Sequence, residues 1–193
     1  MTIDFITKFL FDVDKEDVSL EAQWTRYYVR VIVSNVSKTF EVFVASLFLG
    51  VLPLTLYTYI SFYFIRRTAL GWHASSNVYC SLQSVFFFSI VPFLVKGTDI
   101  PSVVKLCSIF VFVIVMIKYA PQCTGVHENL NTQLRMQMKK KSIAKAFLFS
   151  VGLLFLSSDV SLAILIAMVI QTVMLLPITK KIVIGKENKN EQD

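Results

Sequence analysis

At 193 residues, 55% of them hydrophobic and 17% charged, the chain is too apolar for a water-soluble domain, where about 45–50% apolar and about 25% charged residues are usual. Its mean hydropathy is +0.63, and its charges cluster between long apolar runs, so the class expected is an all-α, polytopic helical membrane protein. The net charge of +6 sits in basic clusters beside those runs, which fits membrane topology and gives no reason to expect nucleic acid as a partner. Three scattered cysteines, Cys80, Cys107 and Cys123, exclude a disulfide framework.

Nothing separates a soluble module from the apolar part, so residues 1–193 read as one integral-membrane domain. About four to six membrane segments are expected, preceded by an interfacial N-terminal region over 1–38. The chain begins with an acidic stretch, Asp4, Asp12, Asp14, Glu16, Asp17 and Glu21 against Lys8 and Lys15. That is the opposite of a basic secretory leader. Residues 3–11 carry an apolar stripe that fits either a short interfacial helix or a frayed terminus. Trp24 to Lys38 suits an amphipathic helix in the interface, anchored by Trp24, Tyr27 and Tyr28.

Residues 42–65 are apolar, with Gly50-Val51-Leu52-Pro53 at their centre. Glycine and proline together break or kink helices, so this run reads as one kinked span or as a hairpin. Residues 66–80 form a polar island. Membrane helices follow over 81–95, 102–120, 143–156 and 160–178, with a polar tail over 180–193. The strong basic clusters are Arg66/Arg67, Lys139/Lys140/Lys141 and Lys180/Lys181, whereas the loops around Asp99 and Asp159 carry little positive charge. The basic clusters, and with them the island, are therefore expected on the cytoplasmic side of a multi-pass protein of the cell membrane.

The island runs Arg66-Arg67-Thr68-Ala69-Leu70-Gly71-Trp72-His73-Ala74-Ser75-Ser76-Asn77-Val78-Tyr79-Cys80. It holds one of two histidines and one of three cysteines. His73 as general base and Cys80 as nucleophile make the sharpest reading. On one unbroken helix they would lie about 10 Å apart along the axis, whereas a catalytic hydrogen bond needs roughly 3 Å, so the chain must turn between them. Gly71 supplies backbone freedom, and Ser75, Ser76 and Asn77 are helix-capping residue types. A cap there puts Cys80 in the first turn of the next helix. The positive end of that helix, with Arg66 and Arg67 nearby, favours a thiolate. The bland alternative makes Cys80 a small packing residue and the arginines a topology anchor.

Cys123 and His127 form a Cys-x3-His pair that, with His73 and Cys80, offers a Cys2His2 zinc alternative. The absence of any Cys-x2-Cys argues against it, and no metal or other cofactor is expected. The basic segment Arg135 to Lys145 reads as a solvated loop against anionic lipid or as a docking site for an acidic peptide. A peptide transporter or exporter without chemistry is the rival function. It explains the helices but leaves the His–Cys island unexplained, and the chain shows no clear internal repeat.

The pattern Arg-Arg-x3-Gly-x-His-Ala-x5-Cys over 66–80 resembles the signature of the accessory gene regulator protein B (AgrB) family. Asn35 and Lys38 before the first apolar run, Tyr119-Ala120-Pro121 at the end of a later one, and the lysine-rich segment after it are similar too. The resemblance implies a membrane-embedded cysteine endopeptidase that processes the propeptide of a cyclic autoinducing peptide in quorum sensing. It implies Cys80 as nucleophile, His73 as base, and Arg67 and Gly71 as supporting positions. Arg30 departs from the family, which often has Gln or Glu there, and takes no role. The expected partners are the propeptide, membrane lipids and a second copy of the chain.

Overall fold

No glycine or proline interrupts the chain between Leu20 and Phe48, and these 29 residues form a single helix, α1 (Leu20–Phe48). The computed structural model describes residues 19–71, 77–122, 131–177 and 179. The interfacial stripe expected over 3–11 and the tail over 180–193 lie outside the described residues. Residues 24–38 do not form a separate interfacial helix, because nothing in the sequence stops the helix at Lys38. At its start, the Trp24 ring lies edge-to-face with Tyr27 at 6.3 Å and tilted against Tyr28 at 6.2 Å, the aromatic grouping typical of a membrane–water boundary.

The 42–65 run is not one kinked span. It divides at a tight turn. Gly50 takes φ +64°, its N–H donating to the Leu47 carbonyl while the Val51 N–H reaches Ser46 (3.0 Å). A left-handed residue of this kind ends helices, and glycine adopts it without a Cβ clash. Pro53 then sits in the first turn of α2 (Leu52–Ala69), where its missing N–H costs nothing. The two helices fold back on each other. The Thr39 and Tyr59 hydroxyls are hydrogen-bonded at 2.7 Å, and the Phe43 and Tyr59 rings lie 5.7 Å apart.

The third rod is continuous but changes pitch. It comprises α3 (Asn77–Val85), a π-helical stretch (Phe86–Ile90) and α4 (Val91–Val95). The π-helical stretch is keyed to its neighbours by hydroxyls. Thr55 Oγ1 of α2 donates to the Phe88 carbonyl at 2.7 Å, and Ser89 Oγ donates to the Val42 carbonyl of α1 at 3.0 Å. In an apolar setting such interhelical bonds contribute about 0.6–2 kcal/mol each. They also meet the need of buried hydroxyls for a partner.

α5 (Ser102–Tyr119) ends before Ala120-Pro121, as expected ahead of a proline. α6 (Thr132–Phe155) begins where Asn131 Oδ1 accepts the Gln133 N–H, a side-chain N-cap. Arg135 to Lys145 is therefore helix rather than loop, and the membrane segment expected over 143–156 is the second half of α6. Its Arg, Gln, Met and Lys residues are good helix formers, and charge alone did not make a loop.

α7 (Ser158–Leu175) is the central helix. Leu162, Ala163, Ile164, Ile166, Ala167, Met168 and Ile170 are all buried, against α2, α5, α6 and α4. An apolar helix with small residues at its contacts suits that place. The same logic operates at Gly152 of α6, where a Cβ would come within 3.1 Å of Ile164 Cδ1.

The protein is an all-α, polytopic membrane protein. Among the described residues, four helices are long and apolar enough to cross a bilayer, over 23–48, 78–95, 102–119 and 158–175. Large apolar side chains such as Phe40, Phe48, Leu94, Phe110 and Leu148 are exposed along the outside, as lipid contact requires. α2 and α6, outside that set of four, carry Arg66, Arg67 and the lysines. The turns gather at two ends. Lys96 Nζ donates to the Gly50 carbonyl (2.7 Å), joining the α1–α2 turn to the α4–α5 turn. At the opposite end the close of α2 meets α7, where Gln171 Nε2 donates to the Leu70 carbonyl, and α3 packs against α1.

Candidate active site

α2 ends in an unusual residue. Leu70 has φ +56° and ψ −148°, a sparsely populated region that costs a non-glycine residue about 1–3 kcal/mol. Its surroundings hold it there. The Leu70 N–H closes the helix on the Arg66 carbonyl (2.8 Å), and the Gln122 N–H after α5 donates to the Ala69 carbonyl (3.0 Å), so that Leu70 and Gln122 form an isolated parallel bridge. The Leu70 carbonyl accepts a 2.6 Å bond from Gln171 Nε2 of α7. Three elements distant in sequence thus fix the chain at the entrance to the island.

Gly71 follows with φ +141°. A Cβ there would stand 3.0 Å from Arg66 Nη1 and 3.2 Å from the Met174 carbonyl oxygen. Glycine is required both by its backbone angle and by the closeness of α7.

Arg66 turns inward from the last turn of α2. Its Nη1 donates to Met174 Sδ (3.0 Å), its Nη2 reaches the Gly71 carbonyl (3.5 Å), and its guanidinium lies 5.4 Å from the centre of the Phe62 ring. Burial pulls this guanidinium down to about 10, a shift that the nearby Cys80 partly opposes. Arg67, by contrast, is exposed.

Cys80 lies in the first turn of α3, which opens at Asn77. Its thiol is free and partly buried, and its carbonyl accepts the Ser84 hydroxyl (2.8 Å). The polar loop is shorter than the 66–80 span read from sequence, because 66–69 belong to α2 and 77–80 to α3. His73, Ser75 and Ser76 lie outside the described residues, as do Cys123 and His127 of the zinc alternative. Among the described residues, no three His, Cys, Asp or Glu side chains gather as a metal site. Cys107 is exposed on α5.

Lys139, Lys140 and Lys141 are exposed on the first half of α6. Lys145, one turn on from Lys141, donates to the Phe64 carbonyl of α2. The basic face of α6 thus stands next to the end of α2 that carries Arg66 and Arg67.

Gln171, Met174 and Gln122 escaped the sequence reading. One signal was present for Gln171, a polar amide inside an otherwise apolar helix, which calls for a partner or a function. For Met174 and Gln122 the sequence offered none.

The AgrB family model, described as Accessory gene regulator B, matches residues 2–175. The chain is similar to Protein FsrB of Enterococcus faecalis, 33% identical over 187 residues, 96% of this chain and 77% of that protein. It is similar to the Accessory gene regulator protein B of Staphylococcus saprophyticus, 30% identical over 153 residues, covering 79% and 80% of the two chains. It is also similar to the protein of that name from Staphylococcus aureus, 31% identical over 153 residues, with 79% and 81% covered. No solved structure matches. The family match over most of the chain, with relatives at this level of identity, shows that the chain belongs to the accessory gene regulator B family.

Proposed function

We propose that this protein is a membrane-embedded cysteine endopeptidase of quorum sensing, acting on the propeptide of a cyclic autoinducing peptide. The observation that carries the reading is the setting of Cys80, a free thiol in the first turn of α3, at the end of the bundle where Arg66 supplies positive charge. His73, seven residues earlier, is the base available to it.

In this reading, His73 takes the Cys80 proton and the sulfur attacks a peptide carbonyl of the propeptide. The carbon–nitrogen bond breaks, the amine leaves with a proton from His73, and the N-terminal part stays on Cys80 as a thioester. A cysteine of the propeptide then attacks that thioester, closes a thiolactone and returns the thiol to Cys80. The second step exchanges one thioester for another and costs little beyond ring closure. Shelter from water favours the ring over a linear acid. The island is read as facing the cytoplasm, where the basic clusters belong.

The experiment uses the purified protein in lipid nanodiscs with a synthetic propeptide bearing an internal cysteine and an acidic tail. Wild type is expected to release the C-terminal fragment and to carry a mass adduct on Cys80. Cys80→Ala is expected to do neither, and Cys80→Ser to lose most activity, while Cys107→Ala and Cys123→Ala remain active. Strong chelators are expected to leave the rate unchanged. Release of the fragment by Cys80→Ala at the wild-type rate would overturn the assignment. Movement of intact peptide without a fragment would favour an exporter.

A further inference from the structure

We infer that Gln171 is a positioning residue for the His73-bearing segment, acting through the Leu70 carbonyl. Gln171 is fully buried on the central helix, and its Nε2 donates to that carbonyl at 2.6 Å. Only the amide nitrogen can donate to a carbonyl, so the chemistry fixes which way the side chain is turned.

The consequence lies in the two peptide groups that flank Gly71. The preceding group carries the Leu70 carbonyl, held by Gln171. The following group carries the Gly71 carbonyl, 3.5 Å from Arg66 Nη2. A glycine at φ +141° is the freest joint in the chain. With the carbonyls on both sides of it held from outside, the Gly71 joint itself loses much of that freedom. His73 is the second residue beyond this joint. Met174, which receives Arg66 Nη1 at 3.0 Å, lies one turn beyond Gln171, so a single face of α7 serves both holds.

Packing alone does not account for Gln171. A leucine would fill the same space, and the second amide atom, Oε1, is buried without a hydrogen bond among the described residues. A buried polar group of this kind is costly unless a donor meets it. The inference rests on the peptidase reading, and the experiment separates the two.

Fragment release from the same synthetic propeptide is followed for wild type, Gln171→Leu and Gln171→Glu between about pH 6 and pH 9. Gln171→Leu keeps the volume and loses the donor. Its kcat is expected to fall about tenfold or more, with KM within about twofold, as when a positioning bond is removed rather than a binding contact. Gln171→Glu donates to Leu70 only while its buried carboxyl is protonated. Its rate relative to wild type is therefore expected to rise as pH falls. A Gln171→Leu protein that turns over like wild type overturns the inference. So does an equal loss in both variants at every pH, which marks a packing role.

If wild type releases no fragment, the peptidase reading fails by itself. The positioning claim is then read from iodoacetamide alkylation of Cys80 in a Cys107→Ala, Cys123→Ala background. Slower alkylation in Gln171→Leu, recovered at low pH in Gln171→Glu relative to the parent, supports it. Equal rates overturn it.

Discussion

The Arg66 guanidinium occupies the space that a side chain at Gly71 would need, its Nη1 lying 3.0 Å from an ideal Cβ there. The two residues are five apart in sequence, but helix geometry does not bring them together. The turn at Leu70 sends the chain back across the end of α2, and the missing side chain of Gly71 lets the arginine fold beneath it. Gly71→Ala is expected to strain the backbone by about 1–3 kcal/mol and to push Arg66 off Met174. Fragment release should fall at least severalfold while insertion and helix content stay intact. Wild-type kinetics in this variant would show that the joint tolerates a Cβ.

Much of the fold was legible because hydropathy and breakers are local signals. Gly50 and Pro53 announced the turn between α1 and α2, and the apolar run before Pro121 announced α5. The errors were also local. The aromatic anchors Trp24, Tyr27 and Tyr28 and the polar residues up to Lys38 suggest an interfacial helix distinct from the apolar run, though one unbroken helix carries both. Three consecutive lysines were read as a loop, though Lys139, Lys140 and Lys141 are helix formers capped at Asn131. At the site, the order Arg66, Gly71, Cys80 was visible in the sequence. The Gln171–Leu70 bond was not, since it joins residues 101 positions apart and no periodicity records such a pair.

Arg66 should not be replaceable by lysine. Its two terminal nitrogens serve two partners, Met174 Sδ and the Gly71 carbonyl, and its flat face meets Phe62. A lysine ammonium keeps the charge but not the planar fork. Arg66→Lys is expected to retain only a minor fraction of the rate, and Arg66→Leu less still, whereas the exposed Arg67→Lys should stay close to wild type. Single-turnover measurements with the synthetic propeptide test the order. Equal rates for Arg66→Lys and wild type would reduce Arg66 to a point charge.

Membrane orientation can be read by thiol labelling in a background without native cysteines. Lys140→Cys lies on the exposed basic face of α6, while Thr98→Cys, in the α4–α5 turn, and Ser158→Cys, at the first residue of α7, are exposed at the opposite end of the bundle. With the basic end in the cytoplasm, an impermeant reagent applied to intact cells should label Thr98→Cys and Ser158→Cys and spare Lys140→Cys. Labelling of Lys140→Cys from outside would invert the protein.

The exposed lysines of α6 are expected to hold the acidic tail of the propeptide. They stand on the helix whose Lys145 is bonded to the Phe64 carbonyl of α2, so a peptide tail on them lies beside the end of α2 that carries Arg66. Each exposed contact contributes little in water, about 0.2–1 kcal/mol, and single changes at Lys139, Lys140 or Lys141 should be mild. Changing all three to glutamate should raise KM strongly with kcat nearly unchanged, since the contact is made equally before and during the reaction. High salt should raise the wild-type KM in the same sense, because screening shortens the reach of surface charges to about 3 Å at 1 M. Charge exchange separates docking from general disruption. A propeptide with a basic tail should be processed better by the triple-glutamate variant than by wild type. If that variant inserts normally and handles the acidic propeptide with unchanged KM, the lysines serve only to orient the helix in the membrane.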